Sequence, residues 1–336
     1  MHVNGNSFNR IEAHPSLFAL LVCLATAVIL VFGLPKNHHA PCKYSGASHA
    51  LDIDHAFVCA ALQIDRNAEI SSHLQSLYDW MYYSTWVDWL LKSHLPNSVY
   101  TSRKNIFSGL TDRSVYRCGL FFPIIHPNTL TCRINTDEQK QSVVLLGNSH
   151  SDSIKNVFAD IALQHGFNTY LFAVNDPMTR EILPPEAIIQ ETLRRHAKWI
   201  FIHYKVDTLN PNKLDRLAEL AAKHQIRLSL IMPVPVYEHG NYYYKSIPAT
   251  LYYGRNSHIT EQDYLKRNQA LIQQAKQLEA RYPNFQTLPV VQTFCTPVCQ
   301  ISTADKRPYY FDDDHLTLTG SQLMVPVIRQ AFEFSR

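Results

Sequence analysis

No run of basic residues occurs anywhere in this 336-residue chain. Its 31 lysines and arginines are scattered and nearly balance 28 aspartates and glutamates, so the formal net charge is only +3. A nucleic-acid-binding surface needs clustered positive charge, and this pattern therefore argues against that class of partner. Internal repeats and low-complexity tracts are also absent from the sequence. With 46% hydrophobic and 18% charged residues, the composition is that of a folded protein with one large domain or two small ones.

Charge is missing altogether from Ser16 to Leu34, SLFALLVCLATAVILVFGL. This apolar run is long enough to cross a hydrocarbon core of about 30 Å as a helix. A cleaved signal peptide is the alternative, but its apolar core is normally shorter, and no small-x-small cleavage site follows. A lipoprotein signal would need a small residue before Cys23, where valine stands. We therefore expect a tail at 1–15 and a single transmembrane anchor at 16–34.

Closely spaced cysteine pairs of the CxxC type, which zinc sites use, are lacking, and CTPVC at 295–299 is the closest pair. An even number of cysteines beyond a membrane segment instead predicts disulfides in an oxidising compartment. Sequence proximity favours one of the fifteen possible connectivities. The pairs expected are Cys42–Cys59, Cys118–Cys132 and Cys295–Cys299. The body of the protein is thus expected outside the cytoplasm.

Residues 35–140 are predicted to be a linker and a helical extension. The segment from Ser71 to Leu95 contains three of the four tryptophans and has the pattern of one or two helices. Its polar face carries Asp79 and Asp88 but only one lysine, Lys92, so attraction to an anionic membrane surface is weak. A helix packed on the main domain is the favoured interpretation, and an interfacial membrane helix is the alternative.

From residue 141 onward, apolar runs alternate with amphipathic segments. Such alternation predicts a parallel sheet covered by helices on both faces. The strands are expected at 142–147, 168–174, 199–204, 226–235 and 285–291, and the helices at 151–165, 184–198, 212–225, 260–282 and 320–334. In folds of this kind, ligands bind beyond the carboxyl ends of the strands.

A serine stands at one such strand end. The run Val143–Leu146 stops at Gly147, and Ser149 follows just before the next predicted helix. A serine hydroxyl is a weak nucleophile unless a histidine accepts its proton, and that histidine is usually oriented by a carboxylate.

The sequence YYFDDDHLTLTGSQ, residues 309–322, supplies such a pair. His315 lies in a loop between the last predicted strand and the last predicted helix, at the same edge of the sheet as Ser149. Asp312 precedes it by three residues, a spacing that lets its carboxylate accept the imidazole N–H within one turn. Taken alone, an acidic cluster beside a histidine is also compatible with a solvated loop or a metal site.

These two motifs resemble the SGNH (GDSL-like) hydrolase superfamily. Gly147-Asn148-Ser149-His150 is similar to its nucleophile block, and the DDDHL sequence at 312–316 matches its closing D-x-x-H-L block. The resemblance is strongest to the SGNH domain of acyltransferase family 3 membrane proteins, which modify cell-surface glycans. A cysteine pair also precedes the closing block there, as Cys295 and Cys299 do here. The resemblance covers about residues 141–336, the expected catalytic domain.

The resemblance implies a flavodoxin-like, three-layer α/β/α domain of the SGNH-hydrolase type. It implies that Ser149 is the nucleophile, His315 the general base and Asp312 the orienting carboxylate. The Ser149 N–H would be the first oxyanion donor, and Asn175 is a candidate for another. The implied activity is that of an esterase or O-acyltransferase acting on acetyl-sized esters of cell-envelope polysaccharide, without a metal or organic cofactor. The implied location is the periplasmic side of the inner membrane.

The chain also departs from this family's pattern. Asn148 stands where aspartate is usual, and no G-x-N-D block follows the second or third predicted strand. An aromatic segment at 237–255 is compatible with stacking on sugar rings or with ordinary packing. Two alternative functions follow: a non-catalytic glycan-binding module, and an accessory subunit of an integral membrane acyltransferase.

Overall fold

The computed structural model describes residues 97–114, 117–119, 122, 129–135, 141–174, 178, 183–237 and 246–333. All of them belong to one unit, Leu90–Arg336. The predicted anchor at 16–34 and the helices predicted at 71–95 lie outside the described residues. Within the described ranges, no helix is long and apolar enough to cross a membrane.

A six-stranded sheet forms the centre of the fold. Its strands are β1 (Thr131–Arg133), β2 (Gln141–Gly147), β3 (Phe167–Phe172), β4 (Ala197–His203), β5 (Arg227–Ile231) and β6 (Phe285–Leu288). They are ordered β1-β3-β2-β4-β5-β6. The edge strand β1 is antiparallel to β3, and all other neighbours are parallel. The expected α/β class with a mostly parallel sheet is confirmed.

Helices precede, connect and follow the strands. They are α1 (Asn97–Ser108), α2 (Ser149–Gln164), α3 (Pro185–Arg194), α4 (Pro211–Lys223), α5 (Ile247–Tyr252), α6 (Glu261–Arg267), α7 (Gln269–Arg281), α8 (Val291–Phe294), α9 (Leu318–Ser321) and α10 (Val325–Glu333), with a 3-10 turn at Gln322–Met324. Helix α2 packs against α10, whereas α4 packs against both α3 and α7. Helix α4 turns an apolar stripe inward and buries Leu214, Leu217 and Ala221.

The order of the parallel strands determines where a ligand can bind. Counted from β2, that order is 2-1-3-4-5, which is the order of flavodoxin-like sheets. The chain direction across the sheet reverses between β2 and β4, and ligands of such folds bind at the carboxyl ends beside this switch point. Strand β2 lies between β3 and β4, which explains why Val143–Leu146 are completely buried.

The helix predicted at 260–282 is two helices, α6 and α7, separated by Asn268. The predicted start is correct, since Thr260 and Asp263 form a capping box. Asn268 is buried, and its side-chain Nδ2 donates to the Tyr264 carbonyl at 2.9 Å. Asn268 has φ −91° and ψ 6°, so the regular helix is interrupted at this one residue, a local change that sequence periodicity does not report.

For three elements the predicted end lies several residues beyond the observed end, and each difference has a local cause. The strand predicted at 226–235 ends at Ile231, before Pro233, and the strand predicted at 285–291 ends at Leu288, before Pro289. Proline has no N–H to donate to a neighbouring strand. The helix predicted at 184–198 ends at Arg194, and His196 adopts a φ of 51°, which allows β4 to begin directly.

The closing region differs more from its prediction. The helix expected at 320–334 begins at Leu318, where the Thr317 hydroxyl caps it by accepting from the Gly320 N–H at 2.9 Å. The helix then tightens into the 3-10 turn before α10, because Pro326 cannot donate to a carbonyl in the preceding turn. At the other end, the sheet starts before residue 141, since β1 pairs with β3.

Two of the predicted disulfides are present, Cys118–Cys132 and Cys295–Cys299. The first ties the segment around residue 118 to the edge strand β1, and the second closes a short loop after α8. The predicted Cys42–Cys59 pair lies outside the described residues.

Removal of the Cys118–Cys132 bridge should reduce the free energy of unfolding more than removal of Cys295–Cys299. The sequence separations are 14 and 4 residues, and closing the longer loop removes more entropy from the unfolded chain, about 3 against about 2 kcal/mol. Denaturant unfolding of the two double Cys→Ser variants measures this difference. An equal loss, or a larger loss for the short loop, would contradict the loop-entropy explanation.

Candidate active site

The corner between β2 and α2 carries Ser149 to the edge of the sheet. Asn148 is the N-cap of α2, and its Oδ1 accepts the His150 N–H at 3.0 Å. At Gly147, β2 approaches β4 so closely that a Cβ would lie 2.0 Å from the His203 carbonyl oxygen. Glycine is therefore required at this position, and Ser149 becomes the first residue of the helix at the switch point of the sheet.

Asn148 has a second contact, which uses the N–H of its side-chain amide. Its Nδ2 donates to the Thr208 Oγ1 at 3.3 Å, and the Thr208 hydroxyl donates to the Lys205 carbonyl at 2.7 Å. A carboxylate at residue 148 could not donate to Thr208. The amide thus joins the start of α2 to the loop that follows β4.

The three residues predicted to act together lie in direct contact. The Nε2 of His315 is 2.6 Å from the Ser149 Oγ, and its Nδ1 is 2.7 Å from the Asp312 Oδ2. The other oxygen of Asp312 accepts the backbone N–H groups of Asp314 at 3.0 Å and His315 at 2.7 Å. One carboxylate therefore both shapes the turn and orients the ring. Ser149, Asp312 and His315 are all partly exposed.

Arg117 is a buried residue that no sequence motif marks, and its contacts hold the corner between β2 and α2 in place. The guanidinium of Arg117 donates to the carbonyls of Gly147 at 3.1 Å and Phe172 at 3.3 Å, and it lies 3.4 Å from the Ser151 Oγ. These contacts join the carboxyl end of β2 to that of β3 and to the first turn of α2. Only 4% of Arg117 is exposed, so its contacts take place away from solvent.

The first turn of α2 is held by further buried charges. The Asp152 Oδ1 accepts the Arg117 backbone N–H at 2.9 Å and the Lys155 Nζ at 2.7 Å. Burial lowers the pKa of Lys155, although the Asp152 carboxylate opposes that shift. Arg117 also precedes Cys118, whose disulfide holds it beside β1. No sequence signal marks Arg117, because its partners Gly147, Asp152 and Phe172 are distant along the chain.

A second carboxylate, that of Asp314, also reaches His315. Its Oδ1 lies 2.6 Å from the His315 Nδ1, its Oδ2 contacts the Lys205 ammonium, and the His150 Nε2 lies 3.6 Å away. Asp314 is buried, whereas Asp312 is partly exposed. In the sequence, Asp314 is only one of three consecutive aspartates before His315, and no motif marks Lys205.

These contacts shift the acid–base properties of the site. Burial alone would lower the pKa of His315, but the carboxylates of Asp312 and Asp314 outweigh it and raise that pKa to about 10. Burial would raise the pKa of Asp314, yet its contacts with His150 and His315 hold that pKa well below its usual range. The imidazolium form of His315 is therefore favoured in the resting site.

Two further histidines lie behind His315 and are neutral. Burial is the main reason that the pKa of His150 is lowered and that the pKa of His203 falls to about 3. The His150 ring centre lies 4.8 Å from that of His315 and 6.1 Å from that of His203. The side chains of His150, Asp314 and His315 are close enough together to surround a cation. The Lys205 ammonium contacts the second carboxylate oxygen of Asp314. A positive charge that belongs to the protein itself therefore already neutralises this cluster.

Other predicted features lie partly or wholly outside the described residues. Asn175, the candidate oxyanion donor, is not among them, and its role stays a prediction. Of the aromatic segment at 237–255, Tyr237 and residues 246–255 are described. Tyr237 is completely buried and packs edge to face on Tyr310, with ring centres 5.0 Å apart, which favours ordinary packing for that ring.

A cavity of about 410 Å³ lies near the ends of β4 and β5. Its apolar walls are formed by Val206, Val234, Val236 and Ile259, and the side chains of α6 form its rim. Neither Ser149 nor His315 lines it. We therefore do not assign the reacting group to this cavity.

Comparisons with known proteins identify a family. Residues 117–330 match the family described as "SGNH domain (fused to AT3 domains)", and this match covers more than half of the chain. No curated protein sequence matches the chain significantly. Among solved structures, the periplasmic domain of a Salmonella ser. Paratyphi A lipopolysaccharide acetyltransferase is similar, with 11% sequence identity and a TM-score of 0.43. The similarity covers 72% of this chain and 98% of that one.

Replacement of Arg117 by methionine should move the Ser149 corner and destabilise the fold. The variant leaves buried carbonyls without a donor, which costs about 1–3 kcal/mol, and a displaced nucleophile reacts more slowly. Denaturant unfolding and the rate of Ser149 modification by a fluorophosphonate measure the two effects. Arg329→Met, which removes an exposed arginine from α10, is the control and should change neither quantity. An Arg117→Met protein with unchanged stability and reactivity would contradict the supporting role.

Proposed function

Because the chain belongs to the family of SGNH domains that are fused to AT3 domains, we propose that it transfers acyl groups from ester substrates through Ser149. The observation that carries this proposal is the continuous contact from the Ser149 hydroxyl through His315 to Asp312, at 2.6 and 2.7 Å. Family membership supports an esterase or acyltransferase activity, and the contacts among Ser149, His315 and Asp312 support our proposal that these residues perform it.

The first half of the reaction would be acylation of the serine. His315 Nε2 accepts the proton of the Ser149 hydroxyl while the Oγ forms a bond to the acyl carbonyl carbon. Asp312 keeps the opposite N–H of the ring aligned. The negative charge that develops on the carbonyl oxygen is met by the Ser149 N–H, since the first N–H groups of a helix have no acceptor within the helix. The tetrahedral intermediate then expels the alcohol, which takes the proton from His315.

The second half would release the acyl group. A water molecule or a sugar hydroxyl gives its proton to His315 and attacks the acyl carbon, and Ser149 Oγ leaves and is reprotonated. Water gives hydrolysis, and a sugar hydroxyl gives O-acylation. We propose an acetyl-sized group and a cell-envelope polysaccharide as the substrate class, because the AT3-fused relatives modify cell-surface glycans. Chemistry of this kind requires no metal or organic cofactor.

We also propose that residues 16–34 anchor the protein in the inner membrane and that the domain at 141–336 lies on the periplasmic side. The two disulfides support an oxidising compartment. For such an arrangement we propose an integral membrane acyltransferase as the partner.

The central experiment replaces the nucleophile. Ser149→Ala should reduce hydrolysis of a chromogenic acetyl ester by about a thousandfold or more, because the remaining groups can position the ester but cannot form the acyl-serine. Circular dichroism and the melting temperature should be unchanged. Ser302→Ala, which removes a partly exposed serine outside the site, is the matched control. Retained hydrolysis by a folded Ser149→Ala protein would refute the role of this serine.

The activity should increase with pH well above the range of an ordinary histidine. Attack by serine needs neutral His315, whose pKa is raised from 6.5 to about 10, so the protonated and inactive form prevails below that value. We expect kcat/KM for an acyl ester to rise still between about pH 7 and pH 9. An acid limb centred at or below 6.5 would contradict this electrostatic description of the site.

A further inference from the structure

His315 is contacted by two carboxylates that differ in surroundings and in geometry. The Asp312 Oδ2 lies 2.7 Å from the His315 Nδ1 with the alignment of a hydrogen bond, and the other Asp312 oxygen is occupied by two backbone N–H groups. Asp314 approaches the same nitrogen at 2.6 Å as an ionic contact. The side chain of Asp312 is 23% exposed, whereas that of Asp314 is 3% exposed.

These differences in geometry and exposure indicate that Asp312 and Asp314 act on the His315 ring in different ways. The hydrogen bond of Asp312 fixes the plane and tautomer of the ring, which is the task of the third residue in a serine–histidine–carboxylate arrangement. The charge of Asp314 acts across a short distance with little solvent to screen it, so its effect on the ring is strong. Asp314 contacts the ring nitrogen that Asp312 already orients, and its second oxygen is paired with the Lys205 ammonium, so what Asp314 adds to the site is mainly charge.

Lys205 contacts the same carboxylate and partly neutralises the negative charge that Asp314 presents to His315. Its ammonium contacts the outer oxygen of Asp314, on the side opposite to the ring contact. Lys205 lies in the loop after β4, and the bond from Asn148 to Thr208 joins this loop to the nucleophile corner. The Asp314–Lys205 contact raises the pKa of Lys205 against the lowering effect of its burial, so the ammonium remains charged.

We propose that Asp314 and Lys205 form a charge pair that sets the pH range in which His315 acts as a base, while Asp312 orients its ring. This inference rests on the proposed function, since it assigns two positioning residues to the base of that reaction. Neither residue needs to touch the substrate.

The remaining charged and titratable groups around the ring, within the described part of the chain, do not replace this pair. His150 and His203 are neutral for the reason given above. Arg113 lies over the Phe311 ring at 4.4 Å and donates to the Leu110 carbonyl at 2.8 Å, and the Phe311 ring stacks on His315. Asp313 acts on Lys205 as a further negative charge on the same loop.

The test uses two substitutions with opposite predicted signs. Asp314→Asn removes the negative charge and should move the titration midpoint of His315 to lower pH, by about 1 to 3 pH units. Lys205→Met leaves Asp314 uncompensated and should move the midpoint to higher pH. Lys205→Arg keeps the charge and should restore the parental midpoint. The midpoints are measured by NMR on the full chain with ¹³C-labelled histidine, and the His315 signal is assigned by its loss in His315→Gln.

Matched controls remove charges of the same type elsewhere. Asp160→Asn changes an exposed residue of α2. Lys198→Met changes an exposed residue near the amino end of β4, whereas Lys205 follows the carboxyl end of that strand. Both should leave the midpoint of His315 unchanged. A purely structural role of the pair predicts shifts of the same sign, or none, in the Asp314 and Lys205 variants, and either result would overturn the proposal. If Asp314→Asn fails to fold, the comparison of Lys205→Met with Lys205→Arg still decides the sign.

Failure of the proposed function gives a different result. If Ser149 is not the nucleophile, the Ser149→Ala protein still turns over the acyl ester. This result does not depend on the titration midpoint of His315. If both proposals hold, the acid limb of Ser149 modification by a fluorophosphonate moves in the same direction as the NMR midpoint in each variant. An acid limb that stays in place while the midpoint moves would refute the control of the base by this charge pair.

Discussion

The hydrogen bond between the Ser149 hydroxyl and the His315 ring joins two segments that are 166 residues apart in the chain. The two side chains meet at 2.6 Å only when the intervening chain, from α2 to the last strand, is folded. The parallel sheet makes this possible because the connections that follow its strands emerge at one edge. The close contact of β2 with β4 at Gly147, which excludes any side chain, then brings the serine to the point where the strand order reverses.

Two sets of charged side chains stabilise the contact between Ser149 and His315, and they do so in different ways. Below the corner, Arg117 satisfies carbonyl oxygens at the ends of β2 and β3, so its contribution is to hold backbone in place. Behind the histidine, Asp314 and Lys205 contribute through their field on the ring. Buried ionic groups are costly unless each charge has a partner, and their presence around a partly exposed serine is understandable where precise positions and a shifted pKa are needed.

The sequence alone predicted the alternating α/β order, the corner at Ser149, the D-x-x-H spacing and two of the disulfides, because these depend on local patterns. Asp312 lies only three residues from His315, so its contact follows from a single turn. The sequence did not predict the helix break at Asn268, which is confined to one residue, or the edge strand β1, which has only three residues. Arg117 and Lys205 were missed for a related reason: their partners are distant in sequence, and neither lies in a recognisable motif.

The central claim is that Ser149 carries the acyl group during the reaction. Its most direct test is to mix the full-length protein with an acyl donor, quench the reaction in acid within the first turnovers and map the modified peptide by mass spectrometry. The account predicts an added acyl group on the peptide that contains Ser149, lost again when an acceptor or more time is allowed before the quench. An acyl group found on another residue, or turnover without any acylated peptide, would contradict it.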